Sequence, residues 1–137
     1  QHLDQPNISI YDVGQTNHTE ADGLAVPVAS QLAIAAMRTR LSGVALIDDA
    51  YLLADLYALY EQEGIQVEPS AAAAYSGVRA VLNTAEGRHY IPKNGLGPFM
   101  QQANHILWTT GGALVPENEY QHWLERGKQI STQLFAV

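Results

Sequence analysis

Apolar positions along this chain follow two rhythms, one of helical period and one of short β-prone runs. Across residues 27–41, Val28, Leu32, Ala35 and Ala36 share one face and Gly43 follows, which predicts a helix. Leu52, Leu56, Leu59 and Tyr60 repeat the spacing in a second predicted helix that runs to Glu63. Asp48 or Asp49 can cap its first turn, and Gly64 can end its last. Pro69 suits a first helical position, where its missing N–H costs nothing. The helix predicted over 70–82 is built from small residues, which lets a sheet or a ligand approach closely. Residues 118–126 read as a short amphipathic helix with Tyr120, Trp123 and Leu124 inward.

The second rhythm marks residues 8–13, 44–47, 65–68 and 105–109 as short strands. Residues 1–7 are polar, contain Pro6 and read as a flexible end; residues 84–97 read as a long loop, with a short helix following to Ala103. Short strands alternating with helices predict an α/β fold with a mostly parallel sheet. Parallel sheets place ligands at the carboxyl ends of their strands. Three junctions of that kind carry a marked sequence: Ala21-Asp22-Gly23, Glu68-Pro69-Ser70 and Thr109-Thr110-Gly111-Gly112.

Composition narrows the chemistry. The 137 residues suffice for a core without staples, and 47% are apolar. Only 15% are charged, against about 25% in ordinary domains, so much of the surface is neutral. A net charge of −7 argues against nucleic acid and against anionic membranes as partners. Without cysteine, thiol catalysis and Cys-based metal sites are excluded. No apolar run approaches a membrane span, and the first residues, QHLDQPNISI, do not form a secretory signal. The five histidines, His2, His18, His89, His105 and His122, lack metal-ligand spacing, so no metal site is expected. Asn7-Ile8-Ser9 and Asn17-His18-Thr19 match the glycosylation acceptor, a pattern common by chance.

Each marked junction has a plain structural reading beside a chemical one. Thr110 can give or take a hydrogen bond, and Gly111-Gly112 lets backbone approach a flat or anionic ligand; the same residues can be a simple glycine turn. Glu68 can be a carboxylate facing a ligand or only a helix-capping residue. Asp22-Gly23 can be only a side-chain-stabilised turn. Neither lysine, Lys93 or Lys128, sits in a sequence typical of a buried Schiff-base residue.

Taken in order, Ala21-Asp22-Gly23-Leu24-Ala25-Val26, Glu63-Gly64-Ile65 leading to Glu68-Pro69-Ser70, and residues 105–112 with Val115-Pro116-Glu117 resemble the C-terminal part of the D-serine dehydratase (D-serine ammonia-lyase) family. The resemblance runs from about Ile8 to Gly127 and is poorest over 84–97. It implies the tryptophan-synthase-β-like (fold type II) large domain, pyridoxal phosphate as cofactor, a cytoplasmic setting, and conversion of D-serine to pyruvate and ammonia. Thr110 matches the hydroxyl partner of the pyridine nitrogen, Gly111 and Gly112 the adjacent turn, and Glu68 a carboxylate near the ring. Asp22 and Gly23 match a segment bordering the substrate. The family's Schiff-base lysine and phosphate loop have no counterpart in this sequence. The expectation is therefore a single C-terminal fragment, 1–137, that is inactive alone, does not hold the cofactor tightly, and pairs with the missing N-terminal part or with itself. A sister enzyme acting on L-serine or L-threonine, and a non-catalytic interaction module, are the competing readings.

Overall fold

The computed structural model describes residues 7–135, so the flexible end expected at 1–7 lies outside the described residues except for Asn7. Five α-helices follow in order: α1 Gln31–Met37, α2 Asp49–Glu63, α3 Pro69–Asn83, α4 Ala85–Lys93 and α5 Glu117–Phe135. Short 3-10 helices lie at Ile10–Val13, Asp22–Leu24 and Gly97–Gln102. None of the described helices is long and apolar enough to cross a membrane.

The core forms where α2 crosses α5 and α3. Leu56 and Leu59 of α2, Ala71 and Ala72 of α3, and Tyr120 and Leu124 of α5 close around Val67. Asp48 caps α2 by accepting the Ala50 N–H at 2.9 Å, and Gly64 ends it in the left-handed conformation. Both features follow from the sequence, because a short carboxylate and a glycine satisfy the loose backbone groups at either end. Gly127 lets α5 lie directly on α2: a Cβ there would strike the Leu53 carbonyl and come within 2.8 Å of the Tyr57 Cβ. One carboxylate is buried between α2 and α3. Asp55 accepts hydrogen bonds from Ser76 and Arg79, and the Arg79 guanidinium lies over the Tyr51 ring, 5.6 Å from its centre. A charge taken out of water needs such partners.

The expected parallel sheet is corrected: no strand occurs among the described residues. Residues 8–13 turn into a 3-10 helix because Ser9 and Asp12 form a reciprocal capping box, with Tyr11 N–H donating to Ser9 and Ser9 N–H donating to Asp12. Residues 44–47 and 105–109 are irregular and exposed, with Leu46 at 94% and Ile106 at 92% of full exposure. Their backbones form no hydrogen bond to the backbone of another described residue. Residues 65–68 also lack a partner strand, although Val67 is buried. β-propensity becomes a strand only when a neighbour satisfies the backbone.

Helix limits also differ. The helix expected over 27–41 shrinks to α1, started by Ser30 and burying only Ile34; Leu32, assigned to its inner face, is exposed. The loop expected at 84–97 contains α4, capped by Thr84 accepting the Gly87 N–H at 3.0 Å. The short amphipathic helix expected at 118–126 runs on through Phe135 as α5.

Candidate functional site

Gly111 and Gly112 stand consecutively in the left-handed region, with φ of 69° and 87°. A β-carbon at Gly111 would collide with the Glu68 carboxylate, and one at Gly112 would come within 2.8 Å of the Val67 Cα. The pair is therefore more than a flexible link. It permits a backbone that side chains rarely adopt, and it brings that backbone against residues 66–68.

Glu68 precedes Pro69, the first residue of α3, in an extended conformation, and its side chain makes no capping hydrogen bond. The helix start is served instead by the Glu68 carbonyl, which accepts the Ala71 and Ala72 N–H groups at 3.0 and 3.1 Å. This leaves the carboxylate turned toward Gly111 and Gly23. Glu68 thus holds the N-cap position through its backbone, without a side-chain cap.

Gly23 arrives from the other side. Its N–H donates to the Asp22 carboxylate at 2.7 Å and to the Ser70 hydroxyl at 3.0 Å. A β-carbon at Gly23 would lie 2.8 Å from the Ser70 oxygen and 3.4 Å from a Glu68 oxygen. Residues Asp22–Leu24 form a 3-10 turn that packs onto the first turn of α3.

Two open clefts result, with Glu68 as their common wall. One, of about 580 Å³, is lined by Asp22, Glu68, Gly111, Gly112, Glu119 and Trp123 among others. The other, of about 450 Å³, includes Gly23, Glu68, Ser70, Trp108 and Thr110. All six residues singled out in the sequence therefore meet around one carboxylate, although 89 positions separate Asp22 from Gly111. Asp22 and Thr110 line different clefts. Thr110 is exposed, and its hydroxyl makes no hydrogen bond among the described residues. Ser70, Glu119 and Trp108 were not singled out for this site. Ser70 belongs to the marked Glu68-Pro69-Ser70 junction, and Trp108 lies within the run at 105–112.

Beneath the first cleft, Tyr120 is 1% exposed and its hydroxyl has no hydrogen-bond partner among the described residues. Burial pushes the phenol above its ordinary value of 10.0, while the adjacent Val67 backbone partly offsets this. Its ring meets those of Tyr60 and Trp123 edge-on, with centres 5.8 and 6.2 Å apart. Neither lysine lines either of these clefts: Lys93 ends α4 and Lys128 lies on α5. Among the described residues no group of acidic and histidine side chains is placed to hold a metal ion.

No family model matches the chain. It is similar to curated proteins named "Probable D-serine dehydratase". That of Paracidovorax citrulli is 44% identical over 122 residues, which is 89% of this chain and 27% of that protein. That of Sinorhizobium medicae is 42% identical over 118 residues, again 27% of the relative. That of Burkholderia thailandensis is 44% identical over 119 residues, 26% of the relative. The resemblance read from the motifs is borne out, and the chain spans about a quarter of the length of these relatives.

Proposed function

We infer that this chain is the C-terminal segment of a D-serine dehydratase, a pyridoxal-phosphate enzyme of fold type II that converts D-serine to pyruvate and ammonia in the cytoplasm. The observation that carries the reading is the convergence of Asp22, Gly23, Glu68, Thr110, Gly111 and Gly112 on one spot, within a sequence similar to that of D-serine dehydratases. When bound, pyridoxal phosphate supplies the electron sink that lets an amino acid lose its α-proton and then its β-hydroxyl.

The residues present fit one edge of that cofactor. Thr110 is an exposed hydroxyl at a cleft rim, suited to donate a hydrogen bond to an unprotonated ring nitrogen. A neutral hydroxyl leaves that nitrogen without a proton, whereas a carboxylate would hold one there. Gly111 and Gly112 present bare backbone on the other side of Glu68, in the larger cleft. Asp22 and Gly23 border the substrate. The remaining parts, a Schiff-base lysine and a phosphate cradle, belong to the rest of the polypeptide.

The same reading accounts for the exposed apolar segments 44–47 and 105–109. In the longer protein they would form strands of a sheet that the rest of the enzyme completes, and the chain by itself does not turn over serine. The deciding experiment is an assay of the longer protein for pyruvate from D- and L-serine. Pyruvate from D-serine supports the reading, pyruvate from L-serine alone transfers it to a sister dehydratase, and none from either overturns it. With the isolated chain, added pyridoxal phosphate is expected to give no retained visible absorbance after gel filtration.

A further inference from the structure

The segment carrying Asp22 and Gly23 is held from outside both clefts. Asp49, the first residue of α2, accepts two hydrogen bonds on its carboxylate: the Thr19 hydroxyl at 2.8 Å and the Glu20 N–H at 3.0 Å. The Thr19 oxygen accepts the Ala21 N–H at 3.0 Å. Glu20 forms an ion pair with Arg126 of α5 at 2.5 Å. Ala21 is buried, and Gly23 is tied to Ser70 of α3. Three helices therefore converge on five consecutive residues. Free loops of that length sample many conformations, and each contact removes some of them.

None of Thr19, Glu20, Asp49 and Arg126 lines either cleft beside Glu68. Yet they fix the Thr19–Glu20 and Glu20–Ala21 peptide units, next to the one that leads into Asp22. A carboxylate that accepts a hydroxyl and a backbone N–H together sets both the position and the direction of the chain, and charge-assisted bonds of this kind are stronger than neutral ones. The Glu20–Arg126 pair adds the tie to α5, the same helix that brings Trp123 and Glu119 to the larger cleft.

We propose that Asp49, assisted by the Glu20–Arg126 pair, is a positioning residue for the candidate site: it sets where Asp22 and Gly23 stand against Glu68 and Ser70 without touching anything bound there. The proposal rests on the dehydratase reading only for its kinetic consequence.

Backbone hydrogen exchange of the 137-residue chain tests the structural part. Asp49→Ala is expected to speed exchange at Glu20, and Thr19→Val at Ala21, by about tenfold or more, with amides around Leu56 and Leu124 unchanged. Thr19→Val leaves α2 untouched, so it separates loop positioning from any weakening of the helix start. Glu20→Arg and Arg126→Glu should each disturb the Gly23 amide resonance, and the double reversal should restore it. In the longer enzyme, Asp49→Ala should raise KM for D-serine about tenfold while kcat changes less than about twofold. Unchanged exchange at Glu20 and Ala21, or an unchanged KM in an active enzyme, overturns the proposal. An inactive longer protein overturns the dehydratase reading instead, and the exchange pattern then decides the positioning role alone.

Discussion

The Thr110 hydroxyl stands exposed at the rim of the smaller cleft, with the Glu68 carboxylate on the same wall. If it serves a ring nitrogen, its chemistry matters more than its size. In the longer enzyme Thr110→Ser should keep kcat/KM within about threefold, whereas Thr110→Asp should lower it by about a hundredfold, as measured by pyruvate release. Tyr120 offers a second test at this scale. Its hydroxyl is buried without a hydrogen-bond partner within bonding distance among the described residues, so Tyr120→Phe should leave the chain as stable or raise stability by about 1 kcal/mol in urea melts. The difference depends on pH with a definite sign. The native phenol holds its proton to higher pH than the unfolded one, because burial raises its pKa. Native stability from this residue is complete below the ordinary value of 10.0 and is lost as pH rises through the raised one. The advantage of the Phe variant should therefore grow above that ordinary value.

At the scale of elements, local chemistry was legible wherever it was sufficient. Asp48, Gly64 and Pro69 announced α2 and the start of α3, because caps and fixed φ act on the nearest turn alone. The helix read over 118–126 is longer in the structure: α5 continues through Gly127, where only a residue without a side chain can pass the Leu53 carbonyl. Gly127→Ala should then cost about 1–3 kcal/mol despite its higher helix propensity, as read from thermal and urea unfolding. The Ser9–Asp12 capping box and the Thr84 cap fix a 3-10 turn and a helix where the β-prone run at 8–13 and the loop-like composition of 84–97 pointed elsewhere. The β-prone runs at 44–47, 65–68 and 105–109 read as strands, but pairing is a property of two segments, and no described segment pairs with them. The six candidate site residues were singled out by their order and resemblance; the contact of Ser70 with Gly23 and the hold on Glu20 by Asp49 emerged only with the packing.

At the scale of the whole molecule, a helical core is joined to apolar segments that touch little. Ile106 and Trp108 are 92% and 83% exposed, so neither contributes much to the stability of this chain. Ile106→Lys should change its unfolding free energy by less than about 0.5 kcal/mol. The same substitution should abolish or greatly weaken recovery of activity when the chain is combined with the rest of the enzyme, if that segment completes a sheet there. The sparse charge of the sequence fits a surface meant to be covered. The placement of the aromatic residues has a practical consequence as well. The chain contains two tryptophans, and Glu68 stands between them, with Trp123 on the wall of one cleft and Trp108 on the wall of the other. Every photon of its indole emission therefore originates beside the candidate site. Two single-tryptophan variants would turn the protein into a pair of optical probes, one for each side of the same carboxylate.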